Sequence, residues 1–341
     1  MSHVTQTRQT QTMKRMKGFK IWSDSETSRR EAEEFVDRWT DSSSHIVAHT
    51  SGSTGVPKEI NLLKSDMMLS AEATNRFFDI NEATVMACPL SVSYIAGKMM
   101  VVRAQIAGAK LWVERPSNKP FQDFDGTIDF AAVVPSQVEY LLASGQEIGA
   151  LLIGGAPLSE STEQKLVRAG VNAFVSYGMT ETCSHVALRK VGGDGLFTAL
   201  PGFTFSADER GCLVIESDKM SFRRIATNDV VELVDDQSFK WCGRFDNVIN
   251  SGGVKVFPEI IERKLETLLP GRNFYIVKTP DAKWGESPVL VLERLEDSED
   301  EAFIQSLSAE IHRLLQPAER PVAVRMVDEI QRTSNGKLRR Q

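Results

Sequence analysis

The feature that most constrains the fold is a regular alternation of apolar and helical segments between residues 28 and 178. Apolar runs of strand length lie at 84–90, 109–114, 128–135 and 149–154. They are nearly continuous, which is typical of strands that are buried on both faces of a parallel sheet. Helical patterns separate them. The alternation therefore predicts an α/β fold with a doubly wound, mostly parallel sheet.

The pattern changes twice further along the chain. After Gly192, short runs separated by turn residues predict a small antiparallel subdomain. After Arg244, the helix and strand patterns are those of a small α+β domain. We therefore expect a mobile basic tail over 1–27, a large N-terminal domain over 28–245 and a small, mobile C-terminal domain over 246–341. The helix predicted over 299–315 places four apolar side chains on one face, namely Phe303, Leu307, Ile311 and Leu314.

Composition excludes several classes of protein. The 341 residues carry 40 Lys+Arg against 46 Asp+Glu, a net charge of −6, which argues against a nucleic-acid partner. The 4 cysteines show no CxxC spacing, so we expect a cytoplasmic, reducing environment rather than a disulfide scaffold. The apolar stretch 95–113 is interrupted by charged residues, so no membrane span is expected. No apolar core of a signal peptide follows the basic first residues, which favours a mobile tail over a transit peptide.

Residues 50–58, with the sequence TSGSTGVPK, form the sharpest local motif. Glycines, hydroxyl groups and a lysine in one loop offer backbone donors, side-chain donors and charge, which a polyphosphate needs. The alternative is a flexible turn with a solvated lysine. A P-loop of the Walker type is excluded because Lys58 follows Pro57 and Glu59 stands where the magnesium-binding hydroxyl should be.

Further motifs follow in order, and together they resemble the adenylate-forming superfamily of acyl-CoA synthetases, adenylation domains and luciferases. They are GGA at 154–156, YGMTET at 177–182, TND at 227–229, GRFD at 243–246, NSGGVK at 250–255 and RTSNGK at 332–337. The resemblance runs from about residue 45 to residue 337. It implies an enzyme that uses ATP to convert a carboxylic acid into an acyl-adenylate, with release of pyrophosphate. The acyl group is then transferred to a thiol, and Mg²⁺ is the cofactor.

The resemblance also implies a role for individual residues. Lys337, Thr180 and Glu181 would be catalytic, and Glu181 would hold Mg²⁺, because a hard cation prefers carboxylate oxygens. Asp246 would be the hinge, and Gly252, Gly253 and Lys255 would bind CoA. The residues implied to bind ATP or AMP are Thr50, Ser51, Gly52, Ser53, Thr54, Gly55, Lys58, Gly154, Gly155, Ala156, Tyr177, Gly178, Met179, Asp229 and Arg244.

Within this superfamily the chain is most similar to short o-succinylbenzoate–CoA ligases of menaquinone biosynthesis. The resemblance rests on the segments PLSVSYIAGKMMVVR and LLIGGAPLS and on the 49 residues that precede Thr50, where relatives usually carry a further subdomain. A substrate with a second carboxylate needs a cation in its pocket. We expect Ser93, Tyr94 and Lys98 to bind the acid, with Arg103 as another candidate cation. The alternative is that both cations snorkel from an amphipathic helix.

Three functions stay open at this point. The first is a CoA ligase that uses ATP and CoA as co-substrates. The second is an aryl-acid adenylation enzyme that loads the thiol of a carrier protein, and the third is a non-catalytic nucleotide- or acyl-binding relative. Asn228 departs from the family pattern, which usually has glycine there. A homo-oligomer is possible, because a second protomer could complete the acid pocket.

Overall fold

The computed structural model describes residues 18–49, 58–294, 301–331 and 340. Within these residues the helices are α1 Glu26–Thr40, α2 Lys64–Phe77, α3 Ile95–Ala107, α4 Pro135–Ser144, α5 Glu160–Arg168, α6 Pro258–Leu265 and α7 Glu301–Leu314. The strands are β1 Lys20–Trp22, β2 His45–His49, β3 Glu59–Leu63, β4 Val85–Cys88, β5 Lys110–Val113, β6 Ile128–Val133, β7 Ile148–Ile153, β8 Ala173–Gly178, β9 His185–Lys190, β10 Phe197–Ala199, β11 Thr204–Ala207, β12 Cys212–Glu216, β13 Arg224–Leu233, β14 Ser238–Arg244, β15 Ile249–Ser251, β16 Val254–Val256, β17 Phe274–Asp281, β18 Gly285–Glu293 and β19 Val324–Val327.

The chain folds into two compact units. The first takes the residues up to 154 together with 171–186 and 219–221, and the second takes 155–170, 187–218 and 222 onward. The small domain expected over 246–341 lies within the second unit, and its boundary at 245/246 stays a prediction.

The first unit is built on a parallel sheet with the order β1-β5-β4-β6-β7-β8. The order reverses beside β4, because the chain leaves β4 on one side for β5 and returns on the other side with β6. This confirms the doubly wound parallel fold. In such sheets, ligands bind at the carboxyl ends of the strands near the reversal, so a ligand site is expected at the segments that follow β4, β6, β7 and β8.

Aromatic side chains join a helix to the centre of this sheet. The ring of Phe130 on β6 is 1% exposed and lies 4.8 Å from the ring of Phe78, the residue that ends α2. Phe174 on β8 contacts Phe78 edge-on at 5.3 Å. Such contacts add to the free energy gained by burying apolar surface, and they fix α2 against the middle strands.

The expected tail over 1–27 is wrong for its last third. Residues 20–22 form β1, which pairs in parallel with β5, and α1 begins at Glu26. Phe19 is buried, and the rings of Trp22 and Trp112 pack 6.0 Å apart. Burial of the apolar side chains in this short segment therefore orders it despite its basic charge. Residues 1–17 lie outside the described residues.

The central part of α3 is buried on every side, because each residue from 97 to 105 is buried. Lys98 is 5% exposed and Arg103 is 2% exposed. The alternative that they snorkel from an amphipathic helix is therefore wrong, since this part of α3 has no exposed face. In the part of the chain that the structure describes, no helix is long and apolar enough to cross a membrane.

The second unit contains antiparallel strands in the order β10-β14-β13-β12-β11, as the sequence predicts for the subdomain. Its other sheet has the order β16-β15-β18-β17, with β19 parallel to β18. Leu307 and Ile311 of α7 are buried with Leu315 in the core cluster that also contains Ile261 and Leu265 of α6. Leu314, expected on this face, is 41% exposed. Leu315 takes its place because it continues the four-residue spacing of the buried pair.

Candidate functional site

The predicted phosphate loop joins two paired strands. Strands β2 and β3 form an antiparallel hairpin in which His49 lies opposite Glu59. Lys58, which directly precedes β3, is exposed. The other predicted phosphate ligands lie at positions 50–57, outside the described residues, so their roles stay predictions: Thr50, Ser51, Gly52, Ser53, Thr54 and Gly55.

The glycine that follows β7 is required by a close approach of β8. The N–H of Gly154 donates to the carbonyl of Val133 at 3.0 Å. A Cβ at position 154 would lie 2.5 Å from the hydroxyl oxygen of Ser176, which itself donates to the carbonyl of Ile153 at 3.1 Å. Only glycine leaves room for this hydroxyl. Gly155 has a φ of +88°, and Ala156 is partly exposed.

The predicted YGMTET turn starts at the carboxyl end of β8 and is folded around Thr182. The Thr182 side chain is fully buried. Its hydroxyl lies 2.7 Å from the carbonyl oxygen of Ser184 and accepts a hydrogen bond from the N–H of Met179 at 3.0 Å. These bonds hold residues 180–182 in a single 3₁₀ turn. Glu181 is exposed on that turn, while Thr180 and Tyr177 are half-buried.

Gly178 brings the turn against the segment that follows it. A Cβ there would overlap the carbonyl oxygen of Ser184 and lie 2.5 Å from the Cα of His185. The close approach places Ser184 and His185 directly beside the predicted adenylate-binding residues.

The predicted magnesium ligand fits such a role. Glu181 is exposed, and its carboxylate forms no hydrogen bond or ion pair with another described residue. Mg²⁺ is commonly held by one or two carboxylates together with substrate phosphates. Within the described ranges, no group of three or more His, Cys, Asp or Glu side chains could hold a metal. A magnesium ion at Glu181 would therefore share its coordination with the phosphates of the nucleotide.

Arg103 is buried beside this turn without an acidic partner. Its Nη2 donates to the Ser184 hydroxyl at 2.7 Å, and its Nη1 lies 3.9 Å from the sulfur of Met100. Its Nε has no hydrogen-bond partner, and no carboxylate of the described residues forms an ion pair with it. Burial lowers the pKa of Arg103 to about 10. Burying a charge without a counter-ion is costly, so this guanidinium is suited to pair with an anion.

The contacts of Ser184 continue into the protein. Its hydroxyl lies 3.2 Å from Nδ1 of His185, and Nε2 of His185 lies 3.0 Å from the Thr74 hydroxyl. Burial holds the pKa of His185 well below its usual value, and the nearby Arg103 lowers it further. The sequence analysis missed Thr74, Ser184 and His185. A Ser–His pair directly after the YGMTET motif was the available signal.

Lys98 organises the segment that follows β4. Its ammonium donates to the carbonyl oxygens of Val92 at 2.7 Å and Ser93 at 2.9 Å. Burial lowers the pKa of Lys98 to about 8, and nearby Arg38 contributes. The side chains of Ser93 and Tyr94 are exposed. The predicted acid-binding roles of Ser93, Tyr94 and Lys98 stay predictions, and the contacts give Lys98 a positioning role as well.

In the second unit, strand register brings two predicted motifs together. Asp229 on β13 lies directly opposite Arg244 on β14. The Asp229 carboxylate is 3.7 Å from the Arg244 guanidinium and accepts a hydrogen bond from the indole of Trp241 at 3.2 Å. The Asp229 N–H donates to the hydroxyl of Thr227 at 3.0 Å. This aspartate is therefore held rigidly, as a ligand for two adjacent ribose hydroxyls should be.

The residue that departs from the family pattern lies beside the predicted hinge. The side chain of Asn228 accepts from Arg210 at 3.0 Å and donates to Asp246 at 3.4 Å. Asp246 also pairs with Arg244 at 3.1 Å. Asn228 thus adds a polar bridge at a place where glycine would leave none.

The predicted CoA-binding glycines form a tight hairpin turn between β15 and β16. Gly252 and Gly253 have φ values of +58° and +84°, which two-residue hairpins of this kind require. A Cβ on Gly252 would lie 2.6 Å from the ring of Trp284. Trp284 is 48% exposed, and the sequence analysis missed it. Lys255 is exposed on β16.

The end of the chain is anchored in the second unit. Arg340 forms a two-pronged ion pair with Glu262 of α6 and donates to the carbonyl of Ile276 at 2.7 Å. Burial raises the pKa of Glu262. The predicted catalytic residue Lys337 lies outside the described residues.

Comparisons with known proteins point in one direction. The family described as AMP-binding enzyme matches residues 3–206. An acyl-CoA synthetase (AMP-forming)/AMP-acid ligase II-like protein from Dyadobacter fermentans is 34% identical, with 96% of this chain and 94% of that one covered and a TM-score of 0.62. A 2-succinylbenzoate–CoA ligase of Listeria monocytogenes is 24% identical over 92% of this chain and 72% of its own length. The o-succinylbenzoate CoA synthetase from Bacillus subtilis, solved with ATP and a magnesium ion, has a TM-score of 0.75 at 19% identity, with 86% and 68% of the two chains covered.

Replacement of Gly178 tests the close approach at the turn. In Gly178→Ala the added methyl must displace the backbone of Ser184, so we expect the free energy of unfolding to fall by about 2–3 kcal/mol. Urea unfolding measures it. Gly195→Ala is the control, because its Cβ would meet nothing within 4 Å and only its φ of +84° carries a cost, about 1 kcal/mol. Equal losses in both variants would contradict the packing.

The buried ammonium of Lys98 predicts a pH dependence of stability. Native Lys98 loses its proton above about pH 8, whereas the unfolded chain keeps it until about pH 10.5. Between these values the unfolded state binds more protons, so stability should rise with pH by up to about 1.4 kcal/mol per unit relative to Lys98→Met. Urea unfolding across this range is the measurement. Lys110→Met is the control at an exposed lysine, and its unfolding free energy should depend on pH as in the unsubstituted protein. If Lys98→Met also shows the pH dependence of the unsubstituted protein, the lowered pKa of Lys98 is contradicted.

Proposed function

The chain belongs to the family of AMP-binding enzymes, and from this membership we propose that it is an ATP-dependent carboxylic acid–CoA ligase. The acid is activated as an acyl-adenylate, and the products are acyl-CoA, AMP and pyrophosphate. We propose o-succinylbenzoate as the acid. The match to 2-succinylbenzoate–CoA ligases along most of the chain supports this assignment.

The observation that carries the choice of acid is the buried guanidinium of Arg103. It lies beside the Gly178 turn without a carboxylate partner among the described residues. A monocarboxylic acid leaves this charge unpaired, because its single carboxylate must react with the nucleotide. A dicarboxylic acid brings a second carboxylate that can pair with Arg103. The site therefore favours an acid with two carboxylates.

The residues of the first unit would serve the adenylation step. One carboxylate oxygen of the acid attacks the α-phosphorus of ATP, and the bond to pyrophosphate breaks. This step needs positioning and charge stabilisation rather than a protein nucleophile. We assign Thr180 to the α-phosphate, Glu181 to Mg²⁺, the loop 50–58 to the outer phosphates and Tyr177 to the adenine. Bound Mg²⁺ supplies positive charge to the phosphate oxygens.

The residues of the second unit would hold the ribose and later admit the thiol. Asp229 would accept hydrogen bonds from the ribose hydroxyls, with Arg244 beside it. We propose that the chain turns at Asp246 after the adenylate has formed, so that Lys337 withdraws. The hairpin 252–253, with Trp284 against it, would then guide the pantetheine arm of CoA. The thiolate attacks the acyl carbon, and AMP leaves.

A panel of carboxylic acids tests the proposed function directly. Pyrophosphate release is measured with and without CoA, for o-succinylbenzoate and for monocarboxylic acids. We expect o-succinylbenzoate to be preferred and CoA to be consumed with it. Release that is followed by transfer only to a carrier-protein thiol would favour an adenylation enzyme. Absence of acid-dependent pyrophosphate release with every acid would overturn the proposal and favour a non-catalytic relative.

Replacement of Arg103 tests the second carboxylate. In Arg103→Met the volume is nearly kept and the charge is lost, so we expect the KM for o-succinylbenzoate to rise about 100-fold. Steady-state kinetics compare it with 4-oxo-4-phenylbutanoate, the same acid without the ring carboxylate, for which KM should change little. Arg313→Met, at a side chain that is 74% exposed, is the control. A similar KM increase for both acids would argue against this contact.

Replacement of Lys337 tests the division of the reaction into two half-reactions. Lys337→Ala should slow formation of the acyl-adenylate by about 100-fold or more, because a charge that acts on the reacting oxygens is lost. Attack of CoA on supplied acyl-adenylate should keep its rate. Single-turnover assays of each half-reaction measure this, with Lys119→Ala, at an exposed loop lysine, as the control. Equal losses in both half-reactions would contradict the hinge proposal.

A further inference from the structure

Polar side chains from three separate parts of the first unit form a continuous buried chain. Arg103 Nη2 contacts Ser184 Oγ at 2.7 Å, Ser184 Oγ contacts His185 Nδ1 at 3.2 Å, and His185 Nε2 contacts Thr74 Oγ1 at 3.0 Å. The Thr74 hydroxyl also donates to the carbonyl of Ser70 at 3.0 Å. Arg103, His185 and Thr74 are each at most 5% exposed. We call these contacts the Arg103–Thr74 relay.

The direction of every hydrogen bond in the relay follows from proton counting. Thr74 has one hydroxyl proton, and the Ser70 carbonyl can only accept it. The Thr74 oxygen must therefore accept from His185, which requires a proton on Nε2. A neutral histidine with a proton on Nε2 has an acceptor at Nδ1, so Ser184 donates to it. The opposite tautomer would leave one of these buried contacts without a proton, at a cost in free energy.

The charge state of His185 agrees with this order. Burial keeps the pKa of the imidazole well below its usual value, so the ring is neutral. An imidazolium would donate from both nitrogens, so the Ser184 hydroxyl could no longer donate its proton to Nδ1. The neutral ring therefore leaves the Ser184 oxygen with both of its lone pairs directed away from His185, where Arg103 can donate to one of them.

We propose that His185 and Ser184 are positioning residues that fix the guanidinium of Arg103 for the second carboxylate of a dicarboxylic acid. The relay holds Nη2 at one point, while Nε stays without a partner. The inference rests on the proposed function, because it assigns the acid that Arg103 receives. Both residues would act on the acid only through Arg103.

Substitutions within the relay test the inference through substrate preference. The variants His185→Leu and Ser184→Ala both break it, whereas the amide of His185→Gln can accept from Ser184 and donate to Thr74. The ratio of kcat/KM for o-succinylbenzoate to that for 4-oxo-4-phenylbutanoate should fall about 10-fold in the first two variants. It should stay within about threefold of the parent in His185→Gln. His312→Leu, at an exposed histidine of α7, is the matched control.

An unchanged ratio in both breaking variants, or a loss in His185→Gln as large as in His185→Leu, would overturn the inference. Thermal unfolding of each variant shows whether the fold is kept. If the parent protein adenylates neither acid, the proposed function fails, and a second measurement still tests the relay. That measurement is the ¹⁵N spectrum of the imidazole rings.

The ¹⁵N spectrum reads the tautomer directly. With 5 histidines in the chain, the signal of His185 is assigned by its loss in His185→Gln. At pH 7 we expect a neutral ring with the proton on Nε2. A proton on Nδ1, or on both nitrogens, would contradict the relay whatever the substrate proves to be.

Discussion

The carboxyl edge of the parallel sheet is the constraint on which the candidate site of the first unit depends. Since β4, β7 and β8 run in the same direction, the segments after them reach the same edge although they are far apart in sequence. Gly154 and Gly178 are the points where side chains would prevent this convergence. Arg103 reaches the same edge from α3, because long side chains on a helix point back towards its N-terminus. The common direction of the strands thus brings these polar groups together at one edge of the sheet.

In the second unit, the register between paired strands brings the predicted site residues together, as strand direction does in the first unit. The pairing of β13 with β14 places Asp229 opposite Arg244, and both follow from one antiparallel alignment. A slip by one residue would turn Asp229 to the other face of the sheet. Trp241, whose indole donates to Asp229, adds a side-chain contact that depends on this alignment. The contacts of Asp229 therefore come from a single pair of strands, and the predicted hinge residue Asp246 follows the second of them.

Local patterns were sufficient for most of the fold, whereas the roles of the motif residues stay predictions. Continuous apolar runs indicated the parallel strands, and glycine-rich turns marked the places where backbones approach closely. The burial of Arg103 could not be predicted in this way. The charged residues of α3 suggested a helix with one exposed face, whereas its residues 97–105 are all buried. Arg103 and its partner Ser184 are 81 positions apart in the sequence. Thr74 and His185, which are also in contact, are 111 positions apart. Such contacts follow from the tertiary structure, and no spacing within a single element indicates them.

The energetics of Arg103 also determine which kinetic parameter it can affect. In adenylation one carboxylate of a dicarboxylic acid loses its charge as the anhydride forms, whereas the other stays charged from binding to product. An arginine that pairs with the second carboxylate therefore stabilises the bound acid and the transition state equally, which lowers KM and leaves kcat unchanged. The buried guanidinium already bears its desolvation cost in the folded protein. A matching carboxylate then recovers free energy without further ordering of the arginine, because Ser184 and His185 have already fixed it.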